Sequence, residues 1–265
     1  MRRPGPLLLA CLLLLAAAQA NARSCGDDVD GRGKAVPCDC GDLLVSSRTL
    51  GADDPITGRA CPGTGLLVQV PADRPAATLA LGGQVLAGSG RGFGIHVLSG
   101  GVGGMTISGP GAVQGFATGV FAPRGTLTRL VDVTASDNRS DGFSIAGHGY
   151  SIVGCEARRN GRDGFALRGQ GYRAESNRAL ENGRSGFGFA GRDAAIGEAV
   201  GNEAAGNGHD GISVRGRRHD VRNAVATANG GRGVRAQVRN GRITGTHATG
   251  NRGRDEHCRA GGACR

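Results

Sequence analysis

A block of 22 residues recurs from the middle of the chain to its end, and it limits the possible folds more than any other feature. Aligned on one Asn, the copies fall at Asn138, Asn160, Asn182, Asn207, Asn229 and Asn251, with spacings of 22, 22, 25, 22 and 22. An Ala stands three residues before each of them, from Ala135 to Ala248. A Gly follows each of the first five by four residues, at Gly142, Gly164, Gly186, Gly211 and Gly233, and leads an apolar-x-apolar triplet. A fixed period of this length means one small unit stacked on copies of itself, so the chain reads as a solenoid.

Within a copy the apolar residues alternate. Phe165 and Leu167 share one face of a strand, and Ala166 between them takes the other. The same pair recurs as Phe143/Ile145, Phe187/Phe189, Ile212/Val214 and Val234/Ala236. Seven residues after the second member of each pair, an aliphatic or small residue marks a second strand: Ile152, Ala174, Ile196, Val221 and Ile243. A third strand closes at the Ala-x-x-Asn. No segment spaces apolar residues at helical intervals. Three short strands per period describe an all-β, right-handed parallel β-helix, with coils about 4.8 Å apart and like side chains stacked inside. The Asn column is read as an inward ladder that satisfies turn groups, and the Gly column as turn positions with φ above zero. Asn138-Arg139-Ser140 matches a glycosylation sequon, but Asn138 belongs to this ladder. The block is also traced upstream into 112–122, with Gly115 in the Asn slot.

The expected organisation is a signal peptide over 1–22, a Cys-rich cap over 23–65, about eight coils over 66–252 and a C-terminal cap over 253–265. The leader pairs two Arg with an apolar run and small-residue sites ending at Ala20 and Ala22, too short for a membrane span. The mature protein is therefore expected to be secreted or periplasmic, without a membrane span, and monomeric. Cys25, Cys38, Cys40 and Cys61 precede the repeats, and Cys258 and Cys264 follow them. In an exported chain such clusters read as disulfides stapling the ends of a solenoid. The expected pairs are Cys25–Cys38, Cys40–Cys61 and Cys258–Cys264, although four clustered Cys allow three connectivities. A zinc site is the competing reading, with no His beside the Cys to support it. Cys155 is expected to be a free buried thiol.

Charge is uneven along the chain. Residues 23–70 hold five Lys+Arg and seven Asp+Glu, whereas 211–265 hold twelve Arg and three acids. A basic distal half suits an anionic partner, an acidic polysaccharide or an anionic cell surface; no specific nucleic-acid motif is present.

The repeat Ala-x-x-Asn-x-x-x-Gly-apolar-x-apolar resembles that of the pectin-lyase-like superfamily, and in particular its small bacterial exported β-helix repeat proteins. Cys40-Gly41-Asp42, the Cys61-Pro62-Gly63 that follows, and the run from Ile107 to Val120 resemble the usual N-terminal half of those proteins. The resemblance implies the fold over nearly the whole mature chain. It implies several possible activities, since the superfamily includes polysaccharide lyases, hydrolases, alginate epimerases and phage tailspikes. Lyases of this fold use an Arg or Lys base with acidic calcium ligands, and hydrolases use clustered Asp with a Gly-His-Gly. Gly147-His148-Gly149 is present here, but no paired Asp, Arg-x-Lys or Asp-Pro-His accompanies it. Catalytic residues are therefore not identified, and lyase or epimerase activity stands as the alternative to a noncatalytic binding or structural role.

Two columns remain as candidate sites. Asp141, Asp163 and Asp210 stack three residues after the Asn, where they can cap turn amides or hold calcium. The turn role is preferred, and no cofactor is required. The outward face of the first strand carries Ser144, Ala166, Gly188, Ser213 and Arg235, flanked by Arg168 and Arg215. A flat face edged with guanidinium groups suits an extended acidic glycan. Arg168, Arg215, Arg235 and His148 are the expected contacts.

Overall fold

The computed structural model describes residues 22–258 apart from positions 72, 75, 100–103, 125–127 and 192–196. The expected signal peptide and Cys264 lie outside the described residues, as does the Cys258 side chain. The expected C-terminal staple therefore lies outside them too.

The chain winds through three parallel sheets of eleven, nine and eight strands, about ten turns in all. The first sheet runs from Ser24–Cys25 through Phe143–His148, Phe165–Gln170 and Phe187–Gly191 to Glu256–Cys258. The count exceeds the eight coils read from the sequence. Two-residue strands at Ser24–Cys25 and Leu43–Leu44 already pair in the first sheet, too short to show a period.

The inward columns stack as the alternation requires. Phe143, Phe165 and Phe187 lie in register, with ring centroids 4.8 and 4.7 Å apart and planes within 6°. Ile212 and Val234 continue the column. In the second sheet the column is Ile152, Ala174, Ala199, Val221 and Ile243. Ala199 thus takes the place assigned to Ile196, which lies outside the described residues. The three extra residues of this coil, which make its Asn spacing 25, fall before Gly197–Val200, because both later strands keep normal register.

The Asn column is a continuous interior ladder. Asn138, Asn160, Asn182, Asn207 and Asn229 each donate from Nδ2 to the next Oδ1 at 2.9 Å, ending on Asn251. Each backbone N–H joins the same oxygen, and each Nδ2 also donates to a carbonyl of the preceding coil, as Asn182 does to Ala157. Every amide group is thereby paired in a site that excludes water. Upstream, Phe116 rather than Gly115 occupies the Asn slot: its N–H donates to Asn138 Oδ1 at 3.0 Å. Its ring fills the interior beside Gly88 and Gly94, where a Cβ would collide with it.

A second ladder runs along another corner. The Cys155 N–H donates to Asn177 Oδ1, and Asn177 donates to Asn202 Oδ1 from both its N–H and its Nδ2. The residue before each ladder position is left-handed: Ser176 (φ 53°) and Gly201 here, Arg159 (φ 51°) and Glu181 (φ 56°) in the first. That bend turns the next side chain inward.

The repeat Gly column has a different cause from the one expected. Gly142, Gly164, Gly186, Gly211 and Gly233 are not among the positive-φ residues. A Cβ at Gly164 would instead meet Asn182 Nδ2 and Gly186 O at 2.8 Å and the Ala179 methyl at 3.1 Å. These glycines clear space for the ladder, and Ala three residues before each Asn is small for the same reason.

The Cys-rich segment forms Cys25–Cys38 and Cys40–Cys61 disulfides. Cys155 is free and fully buried, and burial pushes its thiol up to about 12. Native protein is expected to resist alkylation at Cys155, with one thiol labelled there after unfolding without reductant. Rapid labelling of the folded chain would place this side chain outside the core.

Candidate functional site

The outward faces of the three sheets differ in chemistry. On the third sheet Glu156, Arg178 and Glu203 alternate in register and pair at 3.2 and 3.1 Å. On the second, Arg222 pairs with Glu198 at 3.3 Å. On the first sheet the strand-centre column instead reads Phe121, Ser144, Ala166, Gly188, Ser213 and Arg235. Short side chains there leave a floor open to solvent. Nothing would lie closer than 3.7 Å to a Cβ at Gly188, and the nearest side-chain atom, Asp163 Oδ2, would be 3.8 Å away.

One rim of this floor is the turn column Asp141, Asp163, Ser185 and Asp210. Each acid spends one oxygen on the stack. Asp141 Oδ1 accepts from the Asp163 N–H, Asp163 Oδ1 from the Ser185 N–H, and Asp210 Oδ1 from the Arg232 N–H. The turn role expected of these acids is thus present. The second oxygens lean across the floor by one coil, Asp163 Oδ2 toward Gly188 and Asp210 Oδ2 to 3.8 Å from Arg235 Nη1. Burial raises the Asp141 carboxyl above its ordinary value, and Asp163 adds repulsion that Arg162 and Arg168 partly offset. Among the described residues no cluster of three or more His, Cys, Asp or Glu is placed to hold a metal ion.

The other rim carries Ala146, Arg168, Ala190, Arg215 and Gln237 in register. Arg168 and Arg215 are exposed and stand two coils, roughly 9.6 Å, apart. Both are anchored from inside. Tyr150 donates its hydroxyl to the Arg168 carbonyl at 3.2 Å, and His219 Nε2 lies 3.1 Å from the Arg215 carbonyl. That carbonyl only accepts, so Nε2 carries the proton and Nδ1 accepts from the Tyr172 hydroxyl at 2.8 Å. Burial holds His219 below its ordinary value, which favours this neutral form.

Together these rims enclose a cleft of about 160 Å³ lined by Asp163, Arg168, Arg184, Asp210, Ser213 and Arg215, among others. The structure therefore brings Arg168 and Arg215 into one site. Arg235 borders it and is engaged by Asp210, whereas His148 lies at the exposed end of its strand, opposite Gln170 and outside the cleft. Arg184 and His209 also line the cleft, and sequence reasoning passed over them because their turn position carries no fixed residue type. Guanidinium groups in such a cleft can pair an anion, and Asp163 Oδ2 faces the floor where it can accept from a hydroxyl group.

The model of the right-handed β-helix region matches residues 118–264, more than half the chain, and the protein belongs to this β-helix family. Among solved structures, the periplasmic alginate epimerase AlgG is 14% identical, covering 82% of this chain and 73% of that one, with a TM-score of 0.41. Pectate lyase Pel9A is 16% identical (89% and 73% covered, TM-score 0.39), and the Dettilon tailspike 13% (79% and 59%, TM-score 0.42). These likenesses concern the fold alone. No curated protein matches the sequence. No helix among the described residues is long and apolar enough to cross a membrane.

Proposed function

We propose that this chain is an exported β-helix protein that binds an extended acidic glycan along the open face of its first sheet without transforming it. The rigid coil then serves as a surface or envelope element. The carrying observation is the pair of exposed guanidinium groups, Arg168 and Arg215, held two coils apart above a floor of small residues. A spacing of roughly 9.6 Å along the axis suits carboxylates repeating along a polymer better than one small anion. Each fork pairs a carboxylate through two parallel hydrogen bonds. Two disulfides in the N-terminal coils support an oxidising compartment.

Titration with polygalacturonate at rising salt tests the proposal. Affinity is expected to fall steeply with salt, because exposed charges are screened. Replacing Arg168, Arg215 and Arg235 together with Ala should lower it by roughly tenfold or more and flatten the salt dependence. Ultraviolet absorbance should stay flat with either protein. Salt-independent binding would remove the electrostatic reading, and an absorbance rise from unsaturated uronate would replace the noncatalytic role with a lyase.

A further inference from the structure

Two of the seven Phe side chains stand outside the core, and they stack on each other. Phe93 and Phe121 lie with ring centroids 4.4 Å apart and planes within 13°, and the His96 ring packs 4.8 and 5.1 Å from them. All three are partly exposed. Burial lowers the His96 value, which favours the neutral ring.

Register places this cluster on the same groove as the arginine cleft. His96 and Phe121 are consecutive floor residues, directly followed by Ser144, Ala166 and Gly188. Phe93 pairs with Thr118 and holds the rim position that Asp141 and Asp163 take in later coils. It leans over the floor of the next coil, as Asp163 leans over Gly188 and Asp210 over Arg235. The groove therefore changes along one line from an aromatic end to an arginine end. Phe121 and Gly188 are three strands, roughly 14 Å, apart.

We propose that Phe93, His96 and Phe121 form a stacking subsite for a sugar ring of the same glycan whose carboxylates meet Arg168 and Arg215. This rests on the glycan-binding reading above. An aromatic face takes the apolar C–H face of a pyranose, and the arginines take its charged substituents further along. A single sugar cannot reach both ends, whereas an oligosaccharide along the axis can.

Calorimetry with galacturonate oligomers of increasing length, on wild type, Phe121→Ser and Phe93→Thr, tests this. Both replacements copy residues found in the same columns one coil on, Ser144 and Thr118, so the fold should hold, with unchanged melting temperature. For long oligomers each is expected to weaken binding about tenfold with an unchanged salt slope, while the shortest oligomers that bind lose nothing. Phe121→Tyr should keep wild-type affinity. Equal affinity of wild type and both replacements for every length would overturn the subsite and leave arginine binding standing. No uronate binding by wild type would sink both readings. A wild-type dimer that Phe121→Ser converts to monomer in light scattering, without effect on glycan affinity, would reassign the patch to self-association.

Discussion

Arg48→Ala is expected to cost about 3–5 kcal/mol, because it strands a buried carboxylate. Arg48 is 8% exposed and faces Asp54, which is fully buried. Its Nε and Nη2 hold the two Asp54 oxygens at 3.0 Å each, and Nη2 and Nη1 reach Asp53 at 2.7 Å and Asp27 at 3.1 Å. Hydrogen bonding to Asp54 holds the guanidinium above its ordinary value, so it stays charged at all working pH. Asp54 also accepts the N–H groups of Cys38 and Gly51, which ties the disulfide loop to the first coils. Removing the arginine leaves Asp54 without its closest counter-charge. Arg48→Lys should recover only part of the loss, since an ammonium cannot span the same fork. Arg178→Ala is the control: its surface pairs with Glu156 and Glu203 contribute ~0–1 kcal/mol. Denaturant curves that place Arg48→Ala level with Arg178→Ala would show that the cap does not depend on this network.

Asn182→Ala should destabilise by about 1–3 kcal/mol, for a different reason. The substitution removes the acceptor for both the Asn160 N–H and its Nδ2, and the donor to Ala157 O and Asn207 Oδ1. Asn182 is 1% exposed, so water cannot replace these partners. Arg184→Ala, two residues away, removes a side chain that is 53% exposed and 3.9 Å from Asp163, and should change stability little. Thermal melts ranking Arg184→Ala as the more damaging would contradict the ladder.

The candidate site was partly legible. The column of small residues and its flanking Arg168 and Arg215 follow from alternation within each copy, because side-chain direction in a strand has a period of two. Arg235 was legible as an outward residue but not as the partner of Asp210. His148 sits at a strand end beyond the cleft, where alternation no longer fixes what a side chain faces. The Phe93–Phe121 stack was not legible, because its members lie in different repeat columns.

The sequence by itself determined the coil. A strict period with aligned apolar, Ala and Asn columns leaves parallel stacking as the way to bury every copy, and the early Cys cluster has spacings short enough for the observed pairs. Only the tertiary structure decided what the columns do for one another. It showed that the repeat glycines give room to the Asn amides rather than adopting left-handed backbone. It placed the three extra residues before Gly197–Val200 and completed the second ladder through Asn177 and Asn202. It also set the one-coil lean of the rim over the floor, which brings Asp210 to Arg235 and Phe93 onto Phe121. The physical reason is that a repeat fixes which positions are equivalent. Contacts between non-equivalent positions depend on the direction of side chains at the bends, and those directions exist only once the coils are stacked.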